Sequence, residues 1–182
     1  DLTCVAQRSF DYLDSSPHGR VKDYGAILEK QGLQLPNMHA LVFVNGIYQP
    51  NHSPSQELPN GVYVGRFNDL VEQHTEWLEH GLGTIADIGD CCLAALNTAF
   101  LKDCTILLTD DDKQLNETLY VLNIAVGDKT TIQPRLLISL GRGSSATVVD
   151  HYLSTGPSFT NAITEIHCST GARLKYCKLQ QE

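Results

Sequence analysis

One segment near the C-terminus repeats, and that repeat limits the fold more than any other feature. Residues 136–153 read LLISLGRGSSATVVDHYL and residues 162–179 read AITEIHCSTGARLKYCKL. Superposed at a shift of 26 residues, Leu136 meets Ala162, Ile138 meets Thr164 and Leu140 meets Ile166. Ala146 then meets Ala172, Val148 meets Leu174 and Leu153 meets Leu179. Self-similarity at a fixed period is the mark of repeat architectures. Each unit reads as a strand, a turn of small residues and a second strand. Successive strand side chains point to opposite faces, so Leu136, Ile138 and Leu140 share one side. Ala172, Leu174 and Tyr176 alternate with Arg173, Lys175 and Cys177, the first set inside and the second outside. One such unit cannot bury its apolar face, whereas a stack of equivalent units can. The expected fold class is mainly β, a parallel β-helix. Residues 104–125 read as an earlier, degenerate coil with Leu119, Val121 and Ile124 on strand-like spacing.

The preceding residues follow a different period. From Arg20 to Gln31, Val21, Tyr24, Ile27 and Leu28 form one helical stripe that Gly32 closes. Residues 40–48 switch to strand character, and the turn pair Asn45-Gly46 predicts a short hairpin. A loop rich in Pro, Asn and Ser covers 49–60, and Val62, Tyr63 and Val64 form a further brief strand. A second helix is expected from Asn68, with Phe67, Leu70, Val71, His74 and Leu78 on one face and Gly81 at its end. A third begins at Asp90 and carries Leu93, Leu96 and Phe100 at helical spacing. The helical period disappears after Lys102. The chain therefore divides into a helix-rich mixed α/β region at 1–102 and the first β-helix coils at 103–182.

Composition narrows the function. A formal net charge of −8 over 182 residues, with no basic run, excludes nucleic acid as a partner. No apolar run approaches the roughly 20 residues that span a bilayer, so no membrane partner is expected. The chain opens on Asp1 without a signal-like segment, and its single methionine is Met38, as expected of a processed or partial chain. Six cysteines at irregular spacing, Cys4, Cys91, Cys92, Cys104, Cys168 and Cys177, favour a reducing compartment over a disulfide framework. Two Asn-x-Ser/Thr sequons, at Asn51 and Asn116, are short enough to arise by chance.

The residues offer little chemistry. No compact Cys or His set of the C-x2-C kind occurs, Cys91 and Cys92 are too close to chelate one ion, and His167 and Cys168 point to opposite faces of a strand. At the start of the third helix, Cys91 and Cys92 read as small apolar filler, with a reactive thiol as the sharper alternative. Gly141-Arg142-Gly143-Ser144-Ser145 lacks both the G-x-S-x-G elbow and a P-loop and reads as a turn. Asp110-Asp111-Asp112 reads as a solvated turn. Asp150-His151 resembles an acid–base pair, yet adjacency in a strand separates the two side chains. A carbohydrate-active β-helix enzyme, a lyase or hydrolase with Asp150, Glu165, Arg173 and Lys175 on an outer groove, is the alternative from another class. An unrelated protein-interaction solenoid is the third.

Five segments carry a family likeness. LVFVNGIYQP at 41–50, ALNTAF at 95–100, PRLLISLGRGSSATVVDHYLS at 134–154, TNAITEI at 160–166 and ARLKYCKLQ at 172–180 together resemble the SufB/SufD family, in order and in spacing. The short LVFVNG strand, a loop, a helix and then ALNTAF look more like SufD than SufB. The resemblance implies a right-handed parallel β-helix between an N-terminal helical region and a C-terminal helical domain. It implies a non-enzymatic scaffold for iron–sulfur cluster assembly that works with a SufB-like subunit and the SufC-like ABC ATPase. Family members are considerably longer, and the parts implied to dock the ATPase and handle the cluster lie beyond this stretch. No catalytic, cofactor-binding or metal-binding residue therefore carries over, and no cofactor is expected in these residues. The implied location is the cytoplasm, or the plastid stroma in a plant. A last coil covered on one side only is expected to self-associate or to destabilise the chain.

Overall fold

The computed structural model describes residues 11–12, 29, 39–53, 57–77, 84–86 and 91–182. The strands are β1 (Asp11–Tyr12), β2 (His39–Val44), β3 (Ile47–Tyr48), β4 (Val62–Arg66), β5 (Thr105–Thr109), β6 (Gln114–Ala125), β7 (Thr130–Ile132), β8 (Arg135–Leu140), β9 (Ser145–Ser154), β10 (Ser158–Thr160), β11 (Ile163–Cys168) and β12 (Arg173–Gln181). Between β4 and β5 the described residues include the helices α1 (Phe67–Leu70) and α2 (Cys92–Ala99). The structure is mainly β. Its strands fall into three sheets, ordered β1-β7-β10, β11-β8-β5-β4 and β12-β9-β6-β2-β3. From β5 onward the chain visits the four-, five- and three-stranded sheets in a constant order. Each later circuit pairs in parallel with the one before it.

The repeat is present, but its period differs from the one expected. Ile163 lies opposite Arg135, Arg173 opposite Ser145 and Ser158 opposite Thr130, an offset of 28 residues at every sheet. Ile138 therefore meets Ile166 rather than Thr164, and Val148 meets Tyr176 rather than Leu174. The cause lies in the side-chain period of two. A two-residue slip keeps every side chain on its own face, so apolar pattern alone does not separate 26 from 28. The expected inside set holds in both cases. Leu136, Ile138, Leu140, Ala146 and Val148 join Leu41, Phe43, Leu107, Leu119 and Val121 in one core, with Ala172, Leu174 and Tyr176 packed against it. Of the three residues with strand-like spacing in the earlier coil, Leu119 and Val121 join this core, while Ile124 packs on the other face of its sheet with Val42, Val44 and Leu153. A bulge between Gln114 and Thr118 absorbs the extra length of the first circuit.

The helix-rich N-terminal region is not observed among the described residues. The stretch expected to form the first helix lies outside them except for Glu29, which is helical. The second is interrupted: α1 ends at Leu70, helical conformation returns at residues 75–77, and Leu78 and Gly81 lie outside the described residues. Phe67, Leu70, Val71 and Trp77 pack on Cys104, Ile106, Leu108 and Leu137. Strands instead tie this half to the next. The run Ala40-Leu41-Val42-Phe43-Val44 has no polar alternation because both faces of β2 are buried. It pairs in parallel with β6, and β4 pairs antiparallel with β5. The expected hairpin is present, with Phe43 opposite Tyr48 and positive φ at Asn45 and Gly46.

The turns stack as the strands do. Asp112, Gly143 and Gly171 hold the left-handed conformation at equivalent places, with φ of 58°, 66° and 74°. Asp112 N–H donates to the Arg142 carbonyl at 2.7 Å, and Gly143 N–H to the Thr170 carbonyl at 3.1 Å. A Cβ on Gly141 would lie 2.6 Å from the backbone carbonyl of Asp110, whereas one on Gly46, at positive φ, would meet nothing within 4 Å. Gly46→Ala is therefore expected to cost about 1 kcal/mol for conformation alone, and Gly141→Ala, which must displace the backbone of the stacked turn, more than about 2 kcal/mol. Urea denaturation of both variants measures the difference; equal losses would show that the stacked turn yields freely.

Candidate functional site

Two buried polar clusters stand out, one on each side of the four-stranded sheet. Along β8 and β11, Arg135 and Glu165 face away from the core that Leu136 and Ile138 line. Their side chains are 1% and 0% exposed, and they form an ion pair at 2.5 Å. Arg135 Nε donates to the same Glu165 oxygen at 2.9 Å, while Nη1 donates to Thr98 Oγ1 at 2.9 Å and Asn97 Oδ1 at 3.3 Å. The second Glu165 oxygen accepts the Ala86 backbone N–H at 3.0 Å. Asn97 Nδ2 donates to the carbonyls of Pro134 at 3.0 Å and Asn161 at 2.7 Å. Asn161 Nδ2 returns a bond to the Leu93 carbonyl at 2.8 Å. Helix α2 buries only Ala94 and Asn97, so polar bonds rather than an apolar stripe seat it on the sheet.

The second cluster faces the core. Asp150 Oδ2 accepts hydroxyls from Tyr176 at 2.7 Å, Tyr152 at 2.8 Å and Thr164 at 3.4 Å, which draws β9, β11 and β12 together. Oδ1 is buried without a hydrogen-bond partner. Burial raises the Asp150 carboxyl above its ordinary range, opposed by the Tyr176 and Tyr152 hydroxyls and by the charge of Lys178. The phenols of Tyr152 and Tyr176 are likewise raised, chiefly by burial. His151 lies on the opposite face, as strand adjacency requires. Its Nδ1 meets the Tyr120 hydroxyl at 2.5 Å, and its Nε2 meets Gln181 Oε1 at 2.8 Å. With the phenol donating to Nδ1, the ring proton sits on Nε2.

The residues singled out from sequence are thereby placed. Asp150 and His151 are not an acid–base pair. Glu165 is consumed by Arg135 and Asp150 by hydroxyls, so the two carboxylates do not meet Arg173 and Lys175 on an outer groove. Asp110–Asp112 and Gly141–Ser144 are stacked turns, with Asp111 paired to Arg142 at 2.8 Å in solvent. Cys91, Cys92, Cys168 and Cys177 are exposed, Cys104 is buried, and Cys4 lies outside the described residues. Burial pushes the Cys104 thiol up to about 12, which leaves it inert as a nucleophile. Among the described residues no group of three or more His, Cys, Asp or Glu is gathered to hold a metal ion, and no helix is long and apolar enough to cross a membrane. The sequence reading passed over Asn97, Arg135 and Asn161. The signal was available: Asn97 lies in ALNTAF, Arg135 in PRLLISL, and Asn161 with Glu165 in TNAITEI.

Segments that were far apart in sequence but alike in family character thus converge on one buried network, and comparison with known proteins defines the class. The chain belongs to the SufB/SufD family. Residues 32–121 match the SufBD protein N-terminal region, and residues 123–182 match the SufBD core domain of SUF system FeS cluster assembly. It is 28% identical over 166 residues to an iron–sulfur cluster assembly SufBD family protein of Synechocystis, covering 84% of this chain and 36% of that protein. It is 22% identical over 151 residues to the chloroplastic protein ABCI7 of Arabidopsis thaliana, covering 78% of this chain and 31% of that protein. The chain thus spans about a third of the length of these relatives.

Removing one partner of a buried ion pair leaves the other charge without compensation, typically at about 3–5 kcal/mol. Glu165→Gln is expected to lose stability on that scale, read as a fall in the urea midpoint; a loss below about 1 kcal/mol, the range of exposed pairs, would mean that water reaches Arg135. For Asp150 the native state holds its proton more tightly than the unfolded chain. Stability should therefore fall as pH rises from the ordinary Asp range through the raised native value. Asp150→Asn should remove that slope in a denaturation series from about pH 4 to about pH 8. A variant that keeps the wild-type slope would assign the effect to another group.

Proposed function

We propose that this chain is the N-terminal part of a SufD-like scaffold, acting with a SufB-like subunit and a SufC-like ATPase in building iron–sulfur clusters. The three circuits are then the opening coils of a right-handed parallel β-helix. The observation that carries the reading is the use made of ionisable groups. Arg135 and Glu165 bond to each other, to α2 and to the Ala86 backbone, and Asp150 gathers hydroxyls from three strands. These groups thus join strands and leave stacked sheets and turns to present surface. A surface of that kind suits a protein that holds partners in place, and no enzymatic step is assigned to it. Iron–sulfur clusters are cargo of the assembled complex rather than resident groups of these residues. The free edges of β11 and β12, with Ile166 and Leu179 more than a third exposed, offer the place for a further coil or a second chain. The cytoplasm or the plastid stroma is the matching compartment.

Affinity purification of the tagged full-length protein from its own cells should yield the ABC ATPase and the SufB-like subunit in fixed ratio. Anaerobic reconstitution of residues 1–182 alone should give no stoichiometric cluster absorbance. Recovery without either subunit would overturn the scaffold reading. A stable cluster spectrum lost on Cys168→Ser or Cys177→Ser would place cluster chemistry in this part of the chain.

A further inference from the structure

We infer that the buried Arg135–Glu165 pair, with Asn97 above it, is the register key that fixes β11 on β8 at an offset of 28 residues. The need for such a key follows from the apolar pattern. At offset 28, the inward residues Leu136, Ile138 and Leu140 face Thr164, Ile166 and Cys168. At offset 26 they would face Ala162, Thr164 and Ile166, an equally apolar set. Hydrophobic burial therefore leaves the two registers close in energy, since neither turns a side chain to the wrong face.

The polar groups do discriminate. In the observed register Glu165 lies opposite Leu137, two positions along from Arg135. That spacing lets Arg135 Nε and Nη2 reach one carboxylate oxygen at 2.9 and 2.5 Å. A slip to offset 26 would carry Glu165 opposite Ser139, about 7 Å farther along the strand. The ion pair would open while both groups remained under α2, out of water. The same slip would draw the Asn161 carbonyl away from Asn97 Nδ2, which now bridges it to the Pro134 carbonyl. Buried charges are best attested as determinants of pairing and register, and their replacement by apolar groups of similar volume is often neutral or stabilising. The turn that follows β11 has a separate determinant. Gly171 at positive φ lies against Gly143 where β12 joins β9. On the core side of β11, Thr164 meets Asp150 and Tyr176 at 3.4 and 3.2 Å, so the ion pair is the polar determinant on the outer face of β11.

The test separates register from stability. In the double variant Arg135→Met/Glu165→Leu, cooperative unfolding should persist with a midpoint equal to or above wild type. Cross-strand nuclear Overhauser contacts should then divide into two sets, Ile138 with Ile166 and Ile138 with Thr164, where wild type shows the first alone. The paired variant is chosen because Glu165→Gln alone strands a charge and confuses the two effects. A double variant that folds with the single set of contacts would overturn the inference, since another feature would then hold the register. A double variant that fails to fold would overturn it as well, by making the pair a source of stability rather than of choice.

Discussion

Withdrawing a guanidinium and a carboxylate from water is tolerable only when each finds full compensation, and that requirement organises the outer side of the four-stranded sheet. Arg135 and Glu165 sit on neighbouring strands of successive circuits, so satisfying them ties one circuit to the next. Their remaining valences reach Asn97, Thr98 and the Ala86 backbone, and thereby bring α2 and the segment before it onto the sheet. The helix could not dock by apolar contact alone, since it buries little more than Ala94. Charge compensation, not burial of an amphipathic stripe, therefore explains why a helix lies here.

The core between the sheets works by the opposite logic. Leucine, isoleucine and valine from β5, β6, β8 and β9 fill it, and packing of that kind accepts many near-equivalent arrangements. Specific hydrogen bonds enter at its margin, where Asp150 gathers hydroxyls from three strands. The stacked turns add a third kind of constraint, close backbone approach. Ser144, fully buried, donates to the Asp110 carbonyl at 2.7 Å and accepts the Lys113 N–H at 3.0 Å, so one small side chain joins two circuits.

Much of this was legible in the sequence because strands and turns are written locally. Asn45-Gly46, the glycine turn at 141–143 and the inward set from Leu136 to Val148 depend on neighbours a few residues away, and each was found. The period was misread by two residues because the pattern that reveals a strand is blind to slips of its own repeat. The N-terminal half was misread for another reason. Apolar residues at 67, 70 and 71 carry a continuous helical spacing, but the helix that opens at Phe67 breaks after Leu70. The same side chains instead cover Ile106, Leu108 and Leu137 from outside the sheet. The polar network went unread for a third reason, although its members lie in the family-like segments. Nothing local marks Arg135 or Asn161 as buried, and only the fold brings residues 97, 135, 161 and 165 together.

One end of the sheets is finished differently from the other. At the side reached first along the chain, the five-stranded sheet stops at the two-residue β3 and the four-stranded sheet at the antiparallel β4. Short or reversed border strands make poor templates. Beyond them each circuit lies directly on its predecessor, offset by some thirty residues at most. The border itself is costly to complete, because β2 at His39–Val44 finds its partner only when Leu119–Ile124 of β6 arrives. Once that pairing is made the logic changes: each strand from β8 onward emerges onto one laid down about thirty residues before it, so later circuits assemble by short-range closure.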